Sequence, residues 1–311
     1  MNIALGVLSG AVILVLAAGY GAYRYIIVRG KDAGTDLDVS DRPDPDGLLP
    51  RTEQMQWLRD WTWEDVSLRN SRGALLRGYL FRASGEAKRT ALCIHGYRYA
   101  GLKEYLYIAR MYLEQFGMNV LIVDDYAHGG SEGRRIGFGW NDRKDCVQWA
   151  AWLADRFGPD HGILLHGISM GANTVINAAG DPEIPASVRW AVEDCGYSSA
   201  AEELRFMMKK RFGLPAFPLY YVISLFNKLL NGWFFSENDA LRSAGRITVP
   251  MLFIHGSGDK TVPASMAREM YETCKAPKEL LLMQDVDHAQ AYTADPVSYT
   301  AAVSRLLEKT S

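Results

Sequence analysis

Past residue 60 the chain repeats one pattern: a short apolar run, a glycine turn, then a longer stretch with helical spacing. The runs lie at 91–94, 120–123, 163–165, 190–192, 251–254 and 280–283. Apolar runs this short, bounded by turn residues, predict strands buried on both faces. Helices are predicted around 104–114, 140–156, 170–179, 265–274 and 296–308. This alternation predicts βαβ units, hence an α/β fold with a mostly parallel sheet flanked by helices. Ahead of it, the β-rich runs 61–68 and 74–81 are joined by Asn70, Ser71 and Gly73, the signature of an antiparallel hairpin at a sheet edge.

The alternation is broken once. Roughly fifty residues separate the runs at 190–192 and 251–254, more than an ordinary crossover needs. The insertion, 198–246, is rich in aromatic and methionine side chains, and its spacing predicts two or three short helices broken at Pro215 and Pro218. It is expected to act as a cap, with Met207, Phe217 and Phe226 lining an apolar acyl pocket. The alternative is that these side chains pack only among themselves.

The N-terminus follows a different pattern. No charged side chain occurs from Met1 to Tyr23, and 3–22 is almost continuously apolar, about the length of a membrane-crossing helix. Residues 1–23 are therefore expected to be an anchor lying outside the globule and adding nothing to its core. A cleaved signal peptide is the competing reading, given Ala17, Ala18, Gly19, Gly21 and Ala22. Arg24, Arg29 and Lys31 follow the span, which favours a cytoplasmic catalytic domain. Residues 24–50, rich in aspartate, proline and glycine, are expected to form an extended linker, leaving 51–311 as the folded domain.

Composition narrows the partners. Lysine plus arginine number 34 against 36 aspartate plus glutamate, a formal charge of −2 that offers no surplus for a nucleic-acid backbone. Cys93, Cys146, Cys195 and Cys274 are widely spaced and read as buried free thiols. His95, His166 and His255 each end a strand before a glycine, yet no acidic or cysteine partner has metal-ligand spacing with them. No metal and no cofactor is implied.

The chemistry lies in two Gly-x-Ser-x-Gly matches. Gly129–Gly133 runs into Arg134 and Arg135 with no apolar helix behind it. Gly167-Ile168-Ser169-Met170-Gly171 directly follows a predicted strand and opens a predicted buried helix, the context of a nucleophile elbow. There a sharp turn lifts the serine hydroxyl above the sheet, and flanking side chains would collide with neighbouring backbone. A serine needs a base, for which His288, just after the last strand, is the candidate. The histidine needs a carboxylate to fix its tautomer. Asp259, in the loop after the run at 251–254, is preferred over Asp194 and over Asp285 and Asp287 of the histidine's own loop.

On Gly167–Gly171, His95-Gly96-Tyr97, Asp124–Gly133, Gly256-Ser257-Gly258-Asp259 with Val262-Pro263, and Asp287-His288, the chain from about Trp61 to Glu308 resembles a serine hydrolase of the α/β-hydrolase superfamily, close to its serine aminopeptidase-like and Bem46-like branch. The order Ser, Asp, His is the order of that fold. The resemblance implies an α/β-hydrolase fold with a helical cap and an oxyanion hole made by the backbone N–H groups of Tyr97 and Met170. It also makes Ser131 a structural loop serine. One loop departs from the family pattern: Tyr126 stands where an arginine is common, so the packing beneath the site is expected to differ.

The expected activity is hydrolysis of a small-molecule carboxylic ester through an acyl-enzyme. The same residues would serve a peptidase, an aminoacyl amidase or an acyltransferase. A membrane-tethered binding module with an idle site is the reading from another class.

Overall fold

The computed structural model describes residues 2–30, Trp57 and 61–309. Most of the expected linker, 31–50, and the start of the expected domain lie outside the described residues.

Eight strands form one sheet in the order β1-β2-β4-β3-β5-β6-β7-β8. They are β1 (Trp63–Arg69), β2 (Leu75–Phe81), β3 (Arg89–Ile94), β4 (Asn119–Asp124), β5 (Gly162–Ile168), β6 (Val188–Asp194), β7 (Met251–Gly256) and β8 (Lys278–Met283). β1 and β2 pair antiparallel, β2 joins β4 antiparallel, and all the remaining pairs are parallel. The hairpin therefore occupies the sheet edge, as the pattern predicts. β4 and β5 are buried at every position, which is why they read as unbroken apolar runs.

Successive strand residues point to opposite faces, so each strand feeds two cores. Phe81, Ala91, Cys93, Val120, Ile122, Leu164, Val192 and Ile254 pack under α2 (Gly101–Arg110) and the C-terminal helix. Leu80, Leu92, Ile94, Leu121, Val123, Ile163, Leu165 and Phe253 pack under α3 (Asp142–Phe157) and α4 (Met170–Ala179). All four cysteines are buried free thiols.

Between β6 and β7 the insertion forms α5 (Ala200–Phe212), α6 (Leu219–Asn231), a single 3₁₀ turn and the short α7 (Ala240–Ala244). Pro215 and Pro218 fall between α5 and α6, where their missing N–H groups cost no helical hydrogen bond. The remaining helices are α8 (Ala264–Thr273), α9 (Ala291–Ala294) and α10 (Pro296–Glu308).

The N-terminal helix α1 (Asn2–Ile27) departs from expectation at both its boundary and its isolation. It continues past Tyr23, and its last turns pack on the cap. Gly19, Tyr23 and Ile27 are buried at i, i+4 and i+8, one stripe of the helix. The Tyr20 and Tyr23 rings lie 5.2 and 6.3 Å from that of Phe226, and a Cβ added at Gly19 would come within 2.2 Å of Val222. Val28 then bridges to Arg135, and Arg29 donates to the carbonyls of Ser131 (2.7 Å) and Gly129 (2.5 Å). Residues 24–30 are thus a docked helix end rather than linker, because the helix has an apolar face that α6 covers.

Candidate active site

Ser169 sits between β5 and α4 with φ 55°, ψ −114°, a conformation L-residues rarely adopt. Two glycines permit it. A Cβ on Gly167 would lie 2.1 Å from the Gly171 carbonyl oxygen, and one on Gly171 would lie 1.9 Å from that of Ile94. The turn is pinned by the Ser169 N–H, which donates to the Asp194 carbonyl at 2.8 Å, and by Asn173 N–H donating back to Ser169 O. The hydroxyl is thereby held at the carboxyl edge of the sheet, above the N-terminus of α4, where the helix dipole favours negative charge.

The loops after β7 and β8 bring two more groups to this point. His288 Nδ1 lies 2.7 Å from Asp259 Oδ2, and its Nε2 lies 2.9 Å from Ser169 Oγ. A carboxylate accepts only, so Nδ1 carries the proton and Nε2 is left to accept from the serine hydroxyl. The Asp259 side chain is fully buried, while that of His288 is 19% exposed. Burial alone would raise the Asp259 pKa. Hydrogen bonds from His255 and His288, with two backbone N–H groups on Oδ1 (Thr261 and Val262, 2.8 Å each), outweigh it and hold the carboxyl well below its usual range.

The alternative acids are used elsewhere. Asp194 Oδ2 accepts from Tyr299 at 2.9 Å, and burial pushes its carboxyl up to about 6. Asp287 accepts from the N–H groups of His288 and Lys260, shaping the histidine's turn. Asp285 has φ 57°, and its carboxylate accepts from Gln284.

Of the two expected oxyanion donors, Met170 is the first residue of α4, so its N–H has no partner within the helix. Tyr97 follows Gly96, whose N–H is held by Glu104 Oε2 at 2.5 Å and whose added Cβ would lie 3.4 Å from Ser169 Cβ. The His95-Gly96-Tyr97 turn thus lies against the serine. The Tyr97 side chain points to α1, its hydroxyl donating to Ile26 O at 2.7 Å.

Ser131 is placed very differently. It is buried, its hydroxyl donating to Asp124 O at 2.6 Å and accepting from Arg77 N–H at 2.8 Å. Beside it, Tyr126 carries the Arg72 guanidinium 3.9 Å above its ring, and Arg72 also pairs with Asp145. The cation absent from the loop itself reaches this packing from the β1–β2 turn.

The three strand-end histidines have separate duties. His95 donates from Nδ1 to Gly96 O and accepts from Asp125 N–H. His166 is held between the hydroxyls of Tyr112 and Tyr299, and burial pushes it down to about 3. His255 Nε2 lies 3.0 Å from Val262 O and 3.2 Å from Asp259 Oδ2, so it too donates to the acid that holds His288. This second imidazole on Asp259 is not foreseen by the sequence; the His255–Asp259 spacing of four residues is its only trace. Among the described residues, the side chains grouped closely enough for a metal are Cys195, Asp259 and His288. The last two already hydrogen-bond each other.

The expected pocket lining needs correction. Phe226 faces α1, because its side of α6 covers the apolar helix, and Phe217 lies in the α5–α6 turn with 75% of its surface exposed. Met207 is half-buried on α5. What the cap brings towards the site is its base: Tyr197, Ala200 and Ala201 share a cluster with Val262 and Met266. Glu203 of α5, which sequence reasoning missed, is pushed up to about 8 by burial and by the neighbouring Asp259 charge. Its Oε2 has no hydrogen-bond partner.

A sheet of this order, helices on both faces and a helical insertion after β6 make up the α/β-hydrolase fold, and a family model described as "Serine hydrolase (FSH1)" matches residues 162–289. The chain thus has the fold of the α/β-hydrolases and, over 162–289, the likeness of a serine hydrolase. Among curated relatives it is 29% identical over 233 residues to "Uncharacterized protein YqkD" of Bacillus subtilis, covering 75% of each chain. It is 26% identical over 225 residues to "Alpha/beta hydrolase domain-containing protein 17B" of Xenopus tropicalis, covering 71% of this chain and 67% of that one. Among solved structures, the Pyrococcus furiosus esterase Pf2001 superposes with a TM-score of 0.66 at 24% identity, over 86% of this chain and 97% of the esterase.

Proposed function

We propose that this chain is a membrane-anchored serine hydrolase that cleaves carboxylic esters through an acyl-enzyme. The observation that carries the reading is the continuous hydrogen-bonded path from Ser169 Oγ through His288 to buried Asp259. In this mechanism His288 Nε2 takes the hydroxyl proton as Ser169 Oγ bonds to the substrate carbonyl carbon. The oxygen gains negative charge and is received by the N–H groups of Tyr97 and Met170. As the carbonyl re-forms, the C–O bond to the alcohol breaks and His288 returns its proton to the leaving oxygen. Water then attacks the acyl-serine with His288 again as base, and as the carbonyl re-forms the bond to Ser169 Oγ breaks, His288 returns the proton to that oxygen and the carboxylic acid leaves. Asp259 holds the ring in the required tautomer throughout, and His255 steadies Asp259.

The preference for esters is supported by the likeness to the Pyrococcus furiosus esterase. The anchor is supported by the window Ser9–Ile27, 19 residues with a mean hydropathy of 1.5. The basic residues Arg24 and Lys31 support a cytoplasmic domain, whereas Arg29 has a structural duty on the 129–131 loop.

The test is turnover by the full chain in detergent of acyl p-nitrophenyl esters beside aminoacyl p-nitroanilides. The expected result is ester hydrolysis that is lost in Ser169→Ala. Turnover of anilides alone would replace the ester reading with an aminopeptidase, and equal activity in Ser169→Ala would overturn the mechanism.

A further inference from the structure

The cap carries apolar surface that the hydrolase core does not use. On α6, Tyr220, Ile223, Ser224 and Asn227 face the cap interior, and Val222 and Phe226 face α1. The third side presents Tyr221, Leu225 and Leu229, at i, i+4 and i+8, to the outside. The end of α5 adds exposed Phe212, and the turn before α6 adds Leu214 and Phe217. An exposed apolar stripe of this length is out of place at a water-facing surface.

The geometry points to a lipid bilayer as the occupant: we propose that the α5–α6 tip and the outer face of α6 form a second membrane-docking surface beside α1. Three observations favour this partner. First, the surface is continuous with the proposed span. Val222 meets Gly19 and Phe226 meets Tyr20 and Tyr23, so α6 and α1 run side by side in the same direction. Second, α6 starts at Leu219, three residues or about 4.5 Å of helical rise before Val222, and Phe217 stands in the turn ahead of that start. The tip therefore lies on the N-terminal side of Gly19 along α1, the side on which Leu14 and Leu16 of the proposed span are exposed. Third, exposed Lys209, Lys210 and Arg211 lie immediately before Phe212. Cations set just behind an apolar tip match anionic headgroups over hydrocarbon. A second copy of the chain fits less well, since a two-fold contact through this tip would oppose the same basic run to itself.

The inference rests on the anchor reading, and the experiment separates the two. Full-length protein in vesicles of phosphatidylcholine and phosphatidylglycerol is exposed to a bilayer-soluble carbene precursor, illuminated, digested with trypsin and mapped by mass spectrometry. In parallel, nitroxides at Leu214→Cys, Tyr221→Cys and Leu225→Cys, with Glu202→Cys at the cap base as control, are tested against oxygen and an aqueous nickel relaxant. The native cysteines are buried, so the introduced thiol takes the label. The expected results are carbene adducts on the peptide 212–228 of the unaltered chain, and an oxygen-to-nickel accessibility ratio at the three tip sites at least about threefold above that at 202. An unlabelled 212–228 peptide with tip ratios equal to the control, in protein that resists alkaline extraction, would overturn the docking surface and leave the anchor standing. Protein released by alkaline carbonate would overturn both. Tip labels shielded from both relaxants in a concentration-dependent dimer would assign the surface to a second copy and overturn the proposal.

Discussion

Gly129–Gly133 and Gly167–Gly171 carry the same five-residue pattern, and the fold puts them to opposite uses. At 167–171 the glycines let β5 turn into α4 so tightly that Ser169 is forced to φ 55° with its hydroxyl against His288. At 129–133 the chain closes a loop around Asp124, which accepts from the N–H groups of Gly101 and Gly130, and Ser131 is used up bridging β4 to β2. One serine is committed to backbone and the other is kept free of it. The motif is informative only with the elements that flank it: a strand feeding directly into a helix exposes the serine, and a loop between them buries it.

The sharpest way to break this comparison is to remove each hydroxyl. Ser169→Ala is expected to lower kcat by roughly 10⁴-fold or more, as for loss of a nucleophile, with the fold intact. Ser131→Ala is expected to leave kcat within about twofold. Comparable losses in a steady-state ester assay would mean that the two matches have been told apart wrongly.

The glycines come next. Gly171→Ala drives a Cβ into the Ile94 carbonyl, so β3 and α4 must part; a loss of roughly 3 kcal/mol or more is expected, together with most activity. Gly130→Ala meets nothing closer than 3.3 Å, the Cγ of Arg77, and should cost less than about 1 kcal/mol. Urea unfolding of the two variants measures the contrast.

Ser131→Ala then reveals what that serine does. It strands the Arg77 N–H and the Asp124 carbonyl, for roughly 1–3 kcal/mol of stability and a fall in Tm of a few degrees. An unchanged Tm would show that the bridge is replaced by water.

The smallest effect concerns the cap base over the elbow. Glu203 has its pKa raised to about 8 in the folded state by burial, whereas the unfolded chain ionises it near the usual carboxylate value. A raised group stabilises fully below the unfolded pKa and loses that contribution as pH climbs to the folded one. Glu203→Gln removes the dependence. Its Tm advantage over the parent should therefore widen between pH 5 and pH 8, by a few degrees in scanning calorimetry. A constant difference would show that Glu203 ionises normally.

The sheet was legible because a strand buried on both faces must read as a short apolar run; β4 and β5 show it most plainly. The helix predicted over 170–179 coincides with α4, since the elbow fixes its start and Gly180 its end. The docking of α1 was not legible. A helix apolar all round carries no mark of which stripe meets protein, so Phe226 could not be assigned to Tyr20 and Tyr23 rather than to a pocket. His255 and Glu203 were hidden for related reasons. A strand-end histidine does not announce its partner across a loop, and a glutamate on a helix reads as solvated until the neighbouring loop is placed over it.

The central claim, that Ser169 is activated by His288, is tested most directly by a fluorophosphonate probe on the full-length protein, with the adduct mapped to a tryptic peptide. The account predicts one adduct, on the peptide 157–189 that carries Ser169, abolished in Ser169→Ala and slowed by at least about a thousandfold in His288→Ala. An adduct on the peptide 111–134 that carries Ser131, or labelling of Ser169 that proceeds at the same rate without His288, would contradict it.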